Sequence, residues 1–229
     1  ISDGHNIQSL LKCFPRYFEA PAGRTALVAW TIIPELGTLI LDVIDYHAAR
    51  RLLGDAFIAP VSGIGYAYLY RYGDEAGDKE GVVRRMFLSL TSDYITKLRL
   101  IMIWPMVPSG PMLRDVLRGY AEGANHVEAV FPDFGQVGRY LEATYLLEVG
   151  GRQIPVFHAL TGGTPRAESF RAALADVSRP AFVNVFALNW NVSPADLAAL
   201  QATLGGGYVV ASPEELIRLY LEAHGAGGI

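Results

Sequence analysis

Apolar runs of strand length alternate along the whole chain with amphipathic runs at helical spacing. The apolar runs, such as TALVAWTII at residues 25–33 and LRLIMIW at residues 98–104, are apolar on both faces, which is typical of buried parallel strands. We expect a first strand that ends at residue 1 and further strands at residues 25–33, 57–61, 98–104, 126–131, 154–160, 182–188 and 208–211. We expect helices at residues 7–20, 35–53, 82–95, 112–122, 165–175, 194–204 and 213–224.

The alternation of strands and helices predicts a parallel sheet in an α/β fold. Seven or eight such units in 229 residues indicate a (β/α) barrel of seven or eight parallel strands, complete or incomplete, as one domain over residues 1–229. An open, doubly wound sheet is the second interpretation. In both folds the ligand binds at the C-terminal ends of the strands, so the residues there become the site candidates.

The stretch at residues 57–70, FIAPVSGIGYAYLY, begins as an apolar strand and then breaks into glycines and tyrosines. Gly65 lets another molecule approach the backbone closely. If the backbone stays extended, Tyr66, Tyr68 and Tyr70 share one face. Flat apolar rings with hydroxyl tips suit a sugar. The alternative is a tyrosine-rich loop that packs on its own domain.

The other predicted strand ends also carry polar and aromatic side chains, including all three tryptophans. We expect a ligand to be bound by His5, Asn6, Trp30, Ser62, Gly65, Tyr66, Tyr68, Trp104, His158, Asn189, Trp190 and Asn191. Asp3 and Asp133 are the leading catalytic carboxylates, with Glu35 and Asp74 in reserve. The alternatives are a helix-capping turn for Asp3 and a plain turn for Asp133.

The composition and net charge of the chain exclude several classes of binding partner. The net charge of −4 without a basic block argues against nucleic acid, and prolines interrupt the longest apolar runs, which argues against a membrane span. Cys13 is the sole cysteine, and no dinucleotide fingerprint, serine elbow or HExxH spacing is present, so we expect no cofactor and no metal. Because the chain starts within a strand and without Met, we expect it to be a fragment or an excised domain of a longer protein.

Segments in order along the chain resemble one family. SDGHN at residues 2–6, AWTIIPELG at residues 29–37, DAFI leading into VSG and GIGYAYL, and NVFALNWNVSPADL at residues 184–197 are similar to the GxGYxYP family of putative glycoside hydrolases. His5 stands where that family usually has aspartate, and Leu69 where it has proline. The resemblance implies a barrel-like C-terminal domain that follows a smaller domain and acts outside the cell or in the periplasm on a carbohydrate.

Three functions remain open at this point. Glycoside hydrolysis would use Asp3 and Asp133. In a closed barrel the first and fifth strands face each other across the mouth, so this pair requires an incomplete or flattened barrel to come close enough. Metal-assisted hydrolysis, for example deacetylation of a sugar, would use Asp3, His5, Asp133 and His158 as ligands. A non-catalytic carbohydrate-binding domain would keep the aromatic residues and lose an acid. We favour glycoside hydrolysis.

Overall fold

The computed structural model describes residues 2–3, 7–18, 26–107, 112–132, 144–160 and 163–225. At residues 2, 3, 112, 113 and 194 it describes the backbone alone. This part of the chain contains eight short strands and eight α-helices. The strands are β1 (Ser2–Asp3), β2 (Ala29–Thr31), β3 (Ala56–Ile58), β4 (Met102–Ile103), β5 (Ala129–Val130), β6 (Tyr145–Val149), β7 (Arg152–Val156) and β8 (Ala187–Leu188). The helices are α1 (Phe14–Phe18), α2 (Leu36–Leu39), α3 (Leu41–Arg50), α4 (Val82–Lys97), α5 (Met112–Gly123), α6 (Ala167–Ala175), α7 (Pro194–Ala202) and α8 (Pro213–Ala223). A π-helical turn, Ser9–Cys13, precedes α1, and short 3-10 turns lie at Leu69–Arg71 and Asp74–Ala76.

The strands form two four-stranded sheets in the described part of the chain, in the orders β3-β2-β1-β8 and β4-β5-β7-β6. The first sheet is parallel throughout, whereas β6 runs antiparallel to β7 in the second. Isolated parallel bridges join Ala59 to Ile103 and Ala159 to Asn184 between the sheets. The predicted barrel of seven or eight parallel strands is therefore wrong, because the strands divide into two sheets and one of them is mixed.

A hairpin that the strand prediction overlooked makes the second sheet mixed. Gly150 and Gly151 connect β6 to β7 with φ angles of 57° and 78°, the left-handed region that a two-residue hairpin turn requires. Glycine occupies this region without the steric penalty of a Cβ. The predicted strand at residues 208–211 is also wrong, since those residues have no regular structure.

The helix predictions hold because their signals are local. The Ser193 hydroxyl accepts a hydrogen bond from the backbone N–H of Asp196 (3.2 Å), and the Asp196 carboxylate accepts one from the backbone N–H of Ser193 (2.7 Å). These two bonds form a capping box in front of α7. Ser212 caps α8 in a similar way through the backbone N–H of Glu215 (3.1 Å).

β2 and β4 are buried on both faces, and their successive residues belong to different apolar clusters. Trp30 and Ile103 pack in one cluster with α1 and α4, whereas Ala29 and Met102 pack in another with Ile217 of α8. This alternation is the period-two geometry of a strand covered on both sides. In the described residues, no helix is both long and apolar enough to cross a membrane.

Buried Asp55 fixes β2 beside β3 at the start of both strands. Its Oδ1 accepts a hydrogen bond from the backbone N–H of Val28 (2.9 Å), and its Oδ2 accepts bonds from the indole Nε1 of Trp30 (3.1 Å) and the backbone N–H of Leu52 (3.1 Å). The side chain is almost fully buried. A buried carboxylate is tolerated where hydrogen-bond donors surround it in this way.

Candidate functional site

The strand register brings two of the predicted site segments to one place in the first sheet. The backbone of Asp3, at the end of β1, lies opposite Leu188 at the end of β8. Asn189 and Trp190 directly follow Leu188. Parallel strands end at a shared edge, so Asp3 and the Asn189–Trp190 turn lie at the same edge, one strand apart.

The signature loop, which we define as residues 62–68, follows β3 at the opposite side of this sheet. It is held by hydrogen bonds from the backbone N–H of Ser62 to the Trp104 carbonyl oxygen (3.0 Å) and from the backbone N–H of Ile64 to the Thr91 hydroxyl (3.3 Å). The Ser62 hydroxyl donates to the Ala67 carbonyl oxygen and accepts from the backbone N–H of Met106 (3.2 Å).

Ser62 is fully buried, which corrects its prediction as a substrate-binding residue. Its φ of 72° is left-handed, and its hydroxyl is engaged inside the loop and with Met106. The buried hydroxyl of Ser62 therefore anchors the signature loop from inside. The exposed surface of the loop comes from the residues that follow.

Tyr66 and Tyr68 are the exposed aromatic residues of the signature loop, at 56% and 46% exposure. A Cβ at Gly65 would meet nothing within 4 Å, so the backbone at Gly65 is open to an approaching molecule. The segment is not an extended strand, because a 3-10 turn follows at Leu69–Arg71. The Tyr68 ring packs edge-on against the ring of partly buried Tyr70, with 5.8 Å between centroids.

Trp30 and Trp104 lie in the core, which corrects their prediction as a sugar platform. Both side chains have 0% exposure. The Trp30 ring packs against Phe14 and Phe18 at centroid distances of 5.1 Å and 4.8 Å, and the Trp104 ring packs against Phe186 at 4.9 Å. Trp190 differs because it lies in the turn after β8, where 46% of it is exposed.

The remaining predicted site residues are scattered or outside the described part of the chain. His158 is buried beside the ring of Tyr145, with 5.8 Å between centroids, and Asn191 is exposed and donates to the Thr164 hydroxyl (3.4 Å). His5, Asn6, Asp133 and the side chain of Asp3 lie outside the described residues. Among the described residues, no group of three His, Cys, Asp or Glu side chains could hold a metal ion.

Glu35 was named as a reserve catalytic carboxylate, and the pKa of its carboxyl group is raised above the ordinary value. It lies four residues after β2, at the N-cap of α2, and burial raises the pKa of the carboxyl while a hydrogen bond from its own backbone opposes the rise. One of its oxygens is buried without a hydrogen-bond partner among the described residues. A carboxyl group with a raised pKa has the property that a general acid needs.

Asn189 is a predicted site residue with an unusual environment. It is 5% exposed, and its side-chain oxygen and nitrogen have no hydrogen-bond partner among the described residues. It lines an apolar cavity of about 140 Å³ together with Trp30 and Val192. Buried amides are normally hydrogen-bonded, so an amide without a partner among the described residues is a candidate to bind a polar ligand or water.

We predict that Asn189→Leu leaves the fold at least as stable as the wild type, raising the free energy of unfolding by about 1 kcal/mol. The reason is that leucine of similar size replaces a buried amide whose oxygen and nitrogen find no hydrogen-bond partner in the described part of the chain. Urea unfolding followed by circular dichroism measures the change, with the exposed Asn191→Leu as the matched control. A clear loss of stability in Asn189→Leu would mean that the amide is needed by the fold and is not held for a ligand.

Comparison with protein families identifies the family to which the chain belongs. The model of the GxGYxYP putative glycoside hydrolase C-terminal domain matches residues 1–221 of the chain, so the chain belongs to this family, as its motifs predicted. Gly63, Gly65, Tyr66 and Tyr68 of the signature loop agree with the letters of the family's name, whereas Leu69 stands in place of its proline.

A solved structure supports the fold. The crystal structure of a putative hydrolase from Bacteroides thetaiotaomicron VPI-5482 is 18% identical to this chain, with a TM-score of 0.76 over 96% of this chain and 44% of that one. The chain thus spans less than half of that neighbour's length. No curated protein matches the chain.

Proposed function

We propose that the chain is the carbohydrate-active domain of a glycoside hydrolase, and that the glycan binds along the edge where β3, β2, β1 and β8 end. The observation that carries the proposal is the strand order of the first sheet. It sets the exposed Tyr66 and Tyr68 after one outer strand and the exposed Trp190 after the other, with Asp3 between them.

The spacing of this edge supports a ligand larger than a single small molecule. Neighbouring strands lie about 4.8 Å apart, so the strand ends of β3 and β8 are separated by roughly 14 Å across three spacings. Asp3 lies on β1, which is one strand spacing from β8, the strand before Trp190, and two spacings from β3, the strand before the signature loop. Aromatic faces with hydroxyl or indole tips bind the apolar faces of sugar rings while their tips form hydrogen bonds.

Hydrolysis of a glycosidic bond needs a second carboxyl group. Two carboxyl groups about 5–5.5 Å apart give retention of configuration, and a separation of about 6.5–9.5 Å gives inversion. In this proposal Asp3 is the first, with Asp133 as its predicted partner and Glu35 as the reserve. The raised pKa of Glu35 supports the role of proton donor, whereas Asp3 would act as the ionised partner.

The catalytic role of Asp3 is tested in the full-length protein. We predict that Asp3→Asn lowers kcat/KM on a cleaved glycan at least about 100-fold, because the amide neither exchanges a proton nor attacks the sugar. Affinity for the same glycan, measured by calorimetry, is expected to stay within about threefold of the wild type.

The control for this experiment is Asp45→Asn, since Asp45 is exposed on α3. Undiminished turnover by Asp3→Asn would remove Asp3 from the mechanism. Binding of glycans by the wild-type protein without any cleavage would indicate a carbohydrate-binding domain instead.

A further inference from the structure

The cavity of about 140 Å³ that contains the Asn189 amide lies between β2, β8 and α7. Its lining includes Trp30 of β2, Ala187 of β8 and Leu197 of α7. The cavity is partly open to solvent, so a ligand can enter it. Apolar cavities of about 150 Å³ accept a benzene-sized molecule, so this one has room for a substituent of a sugar. We call it the amide pocket.

The Asn189 side chain is held in the amide pocket without a hydrogen-bond partner in the described part of the chain. The backbone of Asn189 is fixed, because its carbonyl oxygen accepts a hydrogen bond from the buried Tyr17 hydroxyl (3.1 Å). The indole N–H of Trp30, which also lines the pocket, already donates to Asp55 (3.1 Å). Asn189 is almost fully buried, so leaving its amide unsatisfied lowers stability, and a ligand that pairs with the amide would restore it.

The chemistry of the amide pocket discriminates among the substituents that sugars carry. Among the described residues, its lining is apolar or aromatic apart from Asn189 and Gln201. An amide offers an N–H donor beside a carbonyl acceptor, and a second amide offers the complementary pair. A carboxylate would be a buried charge, and none of the described lining residues is a cation to pair with it. A hydroxyl group would bond to Asn189 but has no apolar part to fill the rest of the pocket.

We propose that the amide pocket binds the acetamido group of an N-acetylated amino sugar, with the sugar amide paired to Asn189 and the methyl group among the apolar side chains of α7. Asn189 follows Leu188, which lies opposite Asp3, and precedes the exposed Trp190. The pocket therefore adjoins the edge where the glycan is proposed to bind. This inference names the substrate class for that site and so rests on the proposed function.

The test compares glycans that differ in one group. Oligosaccharides of N-acetylglucosamine and of N-acetylgalactosamine are titrated into the full-length protein by calorimetry, each beside the glucose or galactose counterpart that carries a hydroxyl group instead. We expect at least one N-acetylated oligosaccharide to bind at least about tenfold more tightly than its counterpart, since two hydrogen bonds to Asn189 are gained. Asn189→Leu is expected to reduce this ratio to within about twofold, whereas the exposed Asn125→Leu keeps it.

The outcomes separate this inference from the proposed function. Binding and cleavage of glycans with no preference for the acetamido group would overturn the inference and leave the proposed hydrolysis standing. An N-acetylated oligosaccharide that binds with the expected preference and is not cleaved would support the inference and contradict hydrolysis.

A second measurement on the wild-type protein covers the case in which Asn189→Leu fails to fold. The full-length protein is labelled with ¹⁵N-asparagine, and the side-chain amide resonances of Asn189 are followed by NMR during titration with N-acetylglucosamine, N-methylacetamide and glucose. We expect the first two to shift these resonances and glucose to leave them unchanged. Resonances that none of the three probes shifts would indicate a pocket that holds water alone and would overturn the inference.

Discussion

Asp55→Ala is expected to lower the free energy of unfolding by about 3–5 kcal/mol. The substitution leaves the backbone N–H groups of Val28 and Leu52 and the indole N–H of Trp30 without their carboxylate acceptor. Each donor that is left buried and unsatisfied costs about 1–3 kcal/mol. The loss also releases β2 from β3 at the end of the sheet opposite to the proposed site.

Urea unfolding at neutral pH measures this effect, and the matched control is Asp45→Ala. Asp45 is an exposed acid on α3, so its removal is expected to change stability by no more than about 0.5 kcal/mol. Similar small losses in both variants would show that the Asp55 hydrogen bonds contribute little. Asp55 is the first residue of the DAFI segment, and in this chain its carboxylate accepts hydrogen bonds from the fold around it.

Gly63→Ala is expected to lower the free energy of unfolding by about 2–4 kcal/mol, because two penalties add. The φ of Gly63 is 108°, a conformation that costs a residue with a Cβ about 1–2 kcal/mol. A Cβ there would also lie 2.4 Å from the Thr91 side chain, and overpacking of this kind costs about 1–3 kcal/mol. The variant is expected to displace the signature loop from α4.

Gly65→Ala in the same loop is the matched control, since its Cβ would meet nothing within 4 Å and its φ is not in the left-handed region. We expect a change within about 0.5 kcal/mol for Gly65→Ala. Thermal or urea unfolding of the two variants under identical conditions gives the comparison. If Gly65→Ala were the more destabilising of the two, the described packing of the loop on Thr91 would be wrong.

The sequence predicts those elements whose signals are local. The amphipathic spacing of α4 and α5 and the caps at Ser193 and Ser212 depend on neighbours a few residues away, so these helices appear where expected. The pairing of strands depends on contacts between residues far apart in the chain. The pair Gly150–Gly151 is the local sequence signal for a hairpin between β6 and β7. This hairpin makes the second sheet mixed.

Side-chain exposure at the strand ends could not be derived from position alone. Trp104 directly follows β4, whereas Trp30 lies within β2, and both are buried because these strands are covered on both faces. Tyr66 and Tyr68 are exposed as predicted, although through a loop turned by Ser62 and Gly63 and not through an extended strand. Residues 208–211 form an apolar run of strand length, but they line a cavity beside α8 without pairing in a sheet.

Incubation of the full-length wild-type protein with a panel of glycans, with new reducing ends and glycan affinity measured in parallel, tests the central claim most directly. We predict that at least one class of glycan is bound and that new reducing ends appear from it. The account is contradicted if no glycan in a broad panel is either bound or cleaved.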